Sequence, residues 1–233
     1  MMKRNRNIAH GNELIDQSAA EAFQQVAKTS DRFEQYENPH ASRIAAIADE
    51  LAKIFHLARH DRGSLRVAAL LHDLGEVAME REYIQRSGAL SADERLDLAR
   101  HPVIGEREAS RVGADRAAQL LIRWHHEWWN GQGYPDCLRR EEIPLAARIL
   151  RVADSYAALT DKRPFRSALT SEKAGKEIAD RAGVEFDPAV VKVFLSLDLL
   201  PELDSFAKEE QDISPVPIVE NDAKGDMFSS FTR

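Results

Sequence analysis

Residues 125 to 135 read HHEWWNGQGYP, which sets two adjacent histidines and a glutamate ahead of two tryptophans and a Gly-x-Gly-Tyr-Pro turn. The chain has eight histidines, and five of them (His40, His72, His101, His125 and His126) fall at predicted helix ends or boundaries rather than within solvated faces. Asp73 and Asp154 share that setting. Neutral imidazoles and carboxylates are ligands for borderline first-row metal ions, and a nitrogen and oxygen set without thiolate argues against a structural zinc site. Adjacent His72 and Asp73 cannot share one helical face, but at a helix end they reach two nearby ions. Two ions about 3.5 to 4 Å apart activate a bridging water, polarise a phosphoryl group and stabilise the leaving oxygen. The pattern points to a binuclear centre for metal-assisted hydrolysis.

Each fragment also has a plainer meaning. A His-Asp dipeptide occurs by chance, His125-His126 suits a surface turn, and a histidine before Pro102 marks a boundary. Their joint occurrence favours the metal. His56 and His60 have ligand-like i, i+4 spacing, yet they sit in a charged stretch with no carboxylate set beyond Asp61 and read as solvated. Trp124, Trp128 and Trp129 read as packing rather than as a stacking platform.

Helices must position these groups. Ile15, Ala19, Ala22, Phe23 and Val26 predict a leading amphipathic helix over residues 12 to 30 that docks on the body or makes a dimer contact. Asn38-Pro39 has N-cap and N1 chemistry, with His40 in the first turn that follows. Ser64 is read as the cap of a helix through Leu74 that Gly75 stops, leaving His72 and Asp73 in its last turn. Ser91 and Glu94 form a capping-box signature ahead of His101. A helix over residues 116 to 127 is closed by His125 and His126. Pro144 opens a helix whose stripe of Leu145, Ile149, Val152, Tyr156 and Leu159 is core. Asp154 lies opposite among Ala147, Leu150, Ala157 and Ala158, where a carboxylate is costly to bury without a cation or hydrogen-bond donors. Asp187-Pro188 starts the last helix.

No alternating strand run and no Gly-rich phosphate loop is present, so the class is all-α. A chain of 233 residues with 43% hydrophobic and 30% charged composition reads as one soluble domain with appendages. The division is a helical extension over 1–30, a body over 31–200 and an acidic, flexible tail over 201–233. The formal charge of −7 gives no general reason to bind a nucleic-acid polymer. Lys3, Arg4 and Arg6 precede no apolar h-region, and no stretch reaches the length of a membrane span. Cys137 is alone, which excludes a disulfide within the chain and fits a reducing cytoplasm.

The ordered segments LLHDLGE (70–76), HPVIGE (101–106), HHEWWNGQGYP (125–135) and IPLAARILRVADSYAALTDKRPFR (143–166) resemble the HD-GYP domain, a subgroup of the HD metal-dependent phosphohydrolases. The resemblance covers about residues 38 to 197, and HHExxxxxGYP after a His-Asp pair is highly specific. It implies an HD-domain helical bundle with two or three iron or manganese ions that hydrolyses the bacterial second messenger cyclic di-GMP to pGpG, and in some members to GMP. Position by position, His72, Asp73, His101, His125, His126 and Asp154 match metal ligands, Asp73 as the bridging carboxylate, and His40 matches an upstream histidine that some members use. Arg163 and Arg166 match cations presented to substrate phosphate, a task suited to a fixed guanidinium fork. Gly133, Tyr134 and Pro135 match a protein-contact loop, with diguanylate cyclase (GGDEF) domains as one partner type.

Three positions depart from the family. Glu76 stands where Lys is usual, Tyr36 where three-metal members carry Glu (Glu37 is one place off), and Ala157 where a second Asp is usual. Two divalent ions are thus better supported than three. The leading expectation is a cytoplasmic two-metal cyclic di-GMP phosphodiesterase. The alternatives are a binding module that senses cyclic di-GMP or contacts a cyclase without turnover, motivated by Glu76 and Ala157, and an HD hydrolase of another nucleotide.

Overall fold

The chain is described here by a computed structural model covering residues 5–162 and 167–197. Arg163, Arg166 and the expected tail over 201–233 lie outside the described residues. Among those described, the elements are α1 (Asn5–Phe33), α2 (His40–Ile54), α3 (Arg59–Leu71), α4 (Leu74–Met79), α5 (Glu82–Gln85), α6 (Ala92–Leu98), α7 (His101–Arg111), α8 (Arg116–Trp124), α9 (Leu145–Thr160), α10 (Ser171–Asp180) and α11 (Pro188–Phe194). A 3-10 turn over Arg140–Glu142 precedes α9. The expected all-α class holds, with only an Ala182–Phe186 bridge as strand-like pairing among the described residues.

Local chemistry sets most boundaries. Ser91 and Glu94 form the expected capping box of α6, Pro102 lies in the first turn of α7, and the Asp187 carboxylate accepts from Ala189 N ahead of α11. Three sequence readings shift. Helix α2 has Pro39 as its cap residue, and the Asn38 amide donates instead to Asp161 Oδ1 at 3.3 Å. Ser64 is not a cap but lies inside α3, where its hydroxyl donates to Asp115 Oδ2 at 3.0 Å and ties α3 to the start of α8. Gly75 does not stop a helix: α3 ends at Leu71, the chain turns at His72-Asp73, and Gly75 sits inside α4.

Gly75 is required there by packing against α7. A Cβ on it would lie 2.0 Å from His101 O and 2.8 Å from Gly105 N. With Gly105 facing it, α4 and α7 meet nearly backbone to backbone, which brings His101 beside the His72-Asp73 turn.

The core is built from α2, α3, α8 and α9, through Ile44, Ile47 and Leu51, Leu65 and Leu71, Ile122, and Ile149, Leu150, Val152 and Tyr156, all essentially inaccessible to water. Burying each of these larger side chains contributes about 1.5–3 kcal/mol. Tyr156 meets Phe194 of α11 edge to face at 5.1 Å between ring centres. Helix α1 joins this core through Phe23 and Ala27. No helix among the described residues is long and apolar enough to cross a membrane.

Candidate metal centre

Three histidines are oriented by the backbone just ahead of them. His72 Nδ1 donates to Ala69 O at 3.0 Å, His101 Nδ1 to Leu98 O at 2.8 Å, and His125 Nδ1 to Ile122 O at 2.6 Å. A carbonyl only accepts, so in each ring Nδ1 holds a hydrogen and Nε2 is the nitrogen left to offer a lone pair when the ring is neutral. His40 is held by a side chain instead: its Nδ1 lies 2.9 Å from Asp161 Oδ2. Asp161 is fully buried and also pairs with Arg43. A carboxylate behind an imidazole is the arrangement that aims a ligand and raises its basicity.

The Nε2 atoms and two carboxylates then converge. Asp73 lies centrally, with Oδ2 at 2.9 Å from His72 Nε2, and Oδ1 at 3.3 Å from His101 Nε2 and 3.7 Å from His125 Nε2. Asp154 Oδ1 faces His40 Nε2 at 3.8 Å and His72 Nε2 at 3.9 Å. Two groups result whose donor atoms each lie within 4.8 Å of one another: Asp73, His101, His125 and His126, and beside it His40, His72 and Asp154. The structure thus brings all seven expected ligands into two adjacent clusters.

These residues fit metal ions on physical grounds. His40 Nε2 and Asp73 Oδ1 are buried with no hydrogen-bond partner among the described residues, a costly arrangement unless a cation satisfies them. His101 and His125 point bare Nε2 atoms at each other across 3.2 Å. Burial holds the His101 imidazole down to about 4, with Asp73 opposing the shift, so it is neutral near pH 7 and ready to ligate. Burial also pulls on His72, but Asp73 and Asp154 overcome it and lift that ring to about 10. Asp154 is driven the other way: burial raises it, and His40, His72 and Arg151 bring it down to about 2.

The motif glutamate has a separate task. Glu127 is buried and its carboxylate accepts from Asp136 N at 2.7 Å and Leu138 N at 3.0 Å, pinning the turn that follows the histidines. Gly133 is needed because a Cβ there would meet Trp128 N at 2.2 Å and His126 O at 2.5 Å. Tyr134 is half-buried, with its ring 5.0 Å from His126 and 6.4 Å from His101, so it forms a wall of the site. Of the expected contact loop, Gly133 is buried and Pro135 half-buried. Trp124 packs on the core and its indole N–H donates to Asp136. Arg148 and Arg181 lie over Trp129 and Trp128 at 5.7 and 6.0 Å.

Several residues escaped the sequence reading. Asp161 and Arg151 contact ligands directly and Arg43 supports Asp161, yet none of the three carries a sequence mark of that task. Glu34, at the end of α1, joins Asp73 and Glu76 in a third group of carboxylates; its distance in sequence from His72 hid it. His56 and His60 are both exposed and belong to none of these groups.

Comparison with known proteins adds a family to this geometry. The HD domain family matches residues 21–190. The 3'3'-cGAMP-specific phosphodiesterase 2 of Vibrio cholerae is 31% identical over 158 residues, 67% of this chain and 30% of that protein. A cyclic di-GMP phosphodiesterase of Thermotoga maritima is 30% identical over 176 residues, 74% of this chain and 47% of that protein. The chain therefore spans half or less of the length of these relatives. A crystal structure of a cyclic GMP-AMP specific phosphodiesterase from V. cholerae superposes with a TM-score of 0.62 at 21% identity, covering 83% of this chain and 54% of that one, and shows the shared fold.

Proposed function

Because this chain belongs to the HD domain family and, within it, to the HD-GYP subgroup, we propose that it is a metal-dependent phosphodiesterase that hydrolyses cyclic di-GMP to pGpG, GMP or both. The observation that carries this reading is the pair of adjacent ligand clusters, with buried Asp73 in one of them and its Oδ2 only 2.9 Å from His72 Nε2 of the other. His40, His72 and Asp154 would hold one divalent ion and His101, His125 and His126 the other, with Asp73 placed to serve both. When bound, such ions supply Lewis acidity toward the phosphodiester and a nucleophilic water at neutral pH.

The protein's own groups do the rest. The backbone carbonyls behind His72, His101 and His125, and Asp161 behind His40, hold four rings in position before any ligand arrives, so little reorganisation accompanies reaction. Tyr134 walls off one side. Arg163 and Arg166 orient substrate phosphate through their guanidinium forks. No protein nucleophile is required. Iron or manganese as the metal, cytoplasmic residence, contact of the Gly133–Pro135 loop with a diguanylate cyclase domain, and dimerisation through α1 belong to the same proposal. So does the division into an extension over 1–30, a catalytic domain over 31–200 and a tail over 201–233, although Phe23 and Ala27 of the extension already join the core.

The test is turnover of cyclic di-GMP by protein reconstituted anaerobically with Fe(II) or Mn(II), with products separated by chromatography. Formation of pGpG or GMP that stops on chelation, and that is lost in His72→Ala and Asp73→Ala with helical content intact, supports the assignment. Metal-loaded protein that binds cyclic di-GMP and yields no product refutes it and leaves a binding module in its place.

A further inference from the structure

Four of the five clustered histidines present Nδ1 to an acceptor: a backbone carbonyl for His72, His101 and His125, and Asp161 for His40. His126 is the exception. Its Nδ1 faces a donor, Arg151 Nη1, at 3.0 Å. The same Nη1 lies 3.3 Å from Asp154 Oδ2. Arg151 is one turn before Asp154 on α9, and its Nη2 pairs with Glu185, a carboxylate only 2% exposed that also pairs with Arg181. The guanidinium carbon sits 5.9 Å from the centre of the Phe186 ring. This guanidinium is held on three sides.

A guanidinium cannot accept a hydrogen bond, so His126 Nδ1 must be the acceptor. A neutral imidazole that accepts at Nδ1 carries its hydrogen on Nε2. Neither nitrogen then offers a lone pair to a metal ion. Arg151 makes no such demand on the other cluster: it engages Asp154 through Oδ2, while Oδ1 is the oxygen that faces His40 and His72.

We propose that Arg151 competes with a metal ion for His126, so that the position formed by Asp73, His101, His125 and His126 fills after the His40, His72 and Asp154 position and more weakly. The inference rests on the metal-centre reading above. Arg151 is thereby a positioning residue that sets the order and affinity of metal loading, with Glu185 holding it in place.

The experiment titrates chelator-treated full-length protein with Mn(II) and reads free Mn(II) by its EPR signal. Wild type is expected to show two classes of site. In Arg151→Met, which keeps the length of the side chain against Phe186 and leaves Glu185 its Arg181 partner, the weaker class is expected to tighten at least tenfold with the stronger class little changed. Arg151→Gln, which keeps a polar group beside Glu185, is expected to reproduce the gain. Unchanged or weaker Mn(II) binding at the second class in both variants overturns the proposal. Wild-type protein that takes up no Mn(II) overturns both this inference and the metal-centre reading, so the two failures are distinct. Nitrogen-15 spectra of the chelated protein supply an independent readout: His126 is expected as the Nε2–H tautomer while His72, His101 and His125 hold hydrogen on Nδ1, and an Nδ1–H ring at His126 refutes the competition.

Discussion

Replacing Gly75 by alanine is expected to damage the metal centre through the backbone. The added Cβ would lie 2.0 Å from His101 O, whereas real Cβ contacts essentially never fall under 3.0 Å. Ordinary carbon contacts rest nearer ~3.5 Å, so α4 and α7 must part by roughly 1 to 1.5 Å at this point. His101 begins α7 and moves with it, while Asp73 immediately precedes α4, so the 3.3 Å separation of His101 Nε2 from Asp73 Oδ1 opens by a comparable amount. Overpacking of this kind costs about 1–3 kcal/mol, which lowers the melting temperature by roughly 2 to 12 °C in a domain of this size. A displacement near 1 Å in a catalytic constellation costs about a hundredfold in rate. Thermal melts, Mn(II) stoichiometry and turnover read the three effects together. Gly105→Ala is the internal control, because its Cβ meets a methyl of Ile122 at 3.0 Å, Gly75 N at 3.3 Å and His72 O at 3.6 Å, all far looser than 2.0 Å. Gly75→Ala with full metal stoichiometry and unchanged turnover, or with milder effects than Gly105→Ala, refutes this reasoning.

Asp161→Ala removes the acceptor behind His40 and the partner of buried Arg43. Breaking a buried pair costs about 3–5 kcal/mol, visible as a lower denaturation midpoint, and metal held by His40, His72 and Asp154 is expected to bind more weakly than in the unaltered protein. Glu127→Ala orphans the amides of Asp136 and Leu138 at about 1–3 kcal/mol each, and amide exchange over residues 133 to 138 is expected to lose protection ahead of the helices. In chelated protein, His72 is lifted from 6.5 to about 10 and His101 depressed from 6.5 to about 4. The first contributes stability that is complete below pH 6.5 and is lost as pH rises toward 10, at most about 5 kcal/mol at 1.36 kcal/mol per unit. The second lowers stability as pH falls from 6.5 toward 4, so the melting temperature is expected to peak near pH 6.5; a flat profile between pH 6.5 and 9 contradicts it. Because ligating imidazoles must be deprotonated, metal loading at pH 7 is expected to release the His72 proton, detectable by calorimetry in two buffers of different ionisation enthalpy.

Much of the site was legible because its ligands sit at positions the sequence marks for other reasons. His101 precedes Pro102 at a helix start, His125 closes α8, and Asp154 lies on a face of small residues where an unpaired carboxylate is implausible. Periodicity and cap chemistry identify such faces and ends within about one turn, as Pro39 in place of Asn38 shows. They carry no information on what meets across space. Gly75 looked like a helix stop because glycine after an apolar run often is one; the backbone of α7 lies more than twenty-five residues away in sequence and overrides that preference. Asp161 and Arg43 are invisible for the same reason, each being an ordinary charged residue until folding buries them together. Arg151 was hidden differently: it lies one turn before Asp154, but its effect depends on His126 and Glu185, which reach it from two other segments.

The carbonyls behind His72, His101 and His125 have a consequence for how mutation maps onto this protein. The groups that orient three of the rings belong to the main chain of residues 69, 98 and 122, so no side-chain substitution removes them. A saturation scan around the centre is expected to divide sharply, with the rings and carboxylates intolerant and Ala69, Leu98 and Ile122 sensitive only to changes in volume. Substitutions that alter the course of the backbone form the remaining sensitive set. Robustness of this kind lets the surrounding sequence drift widely while the geometry of the rings stays fixed, since the scaffold that aims them is common to every residue type except where proline or a misplaced Cβ bends it.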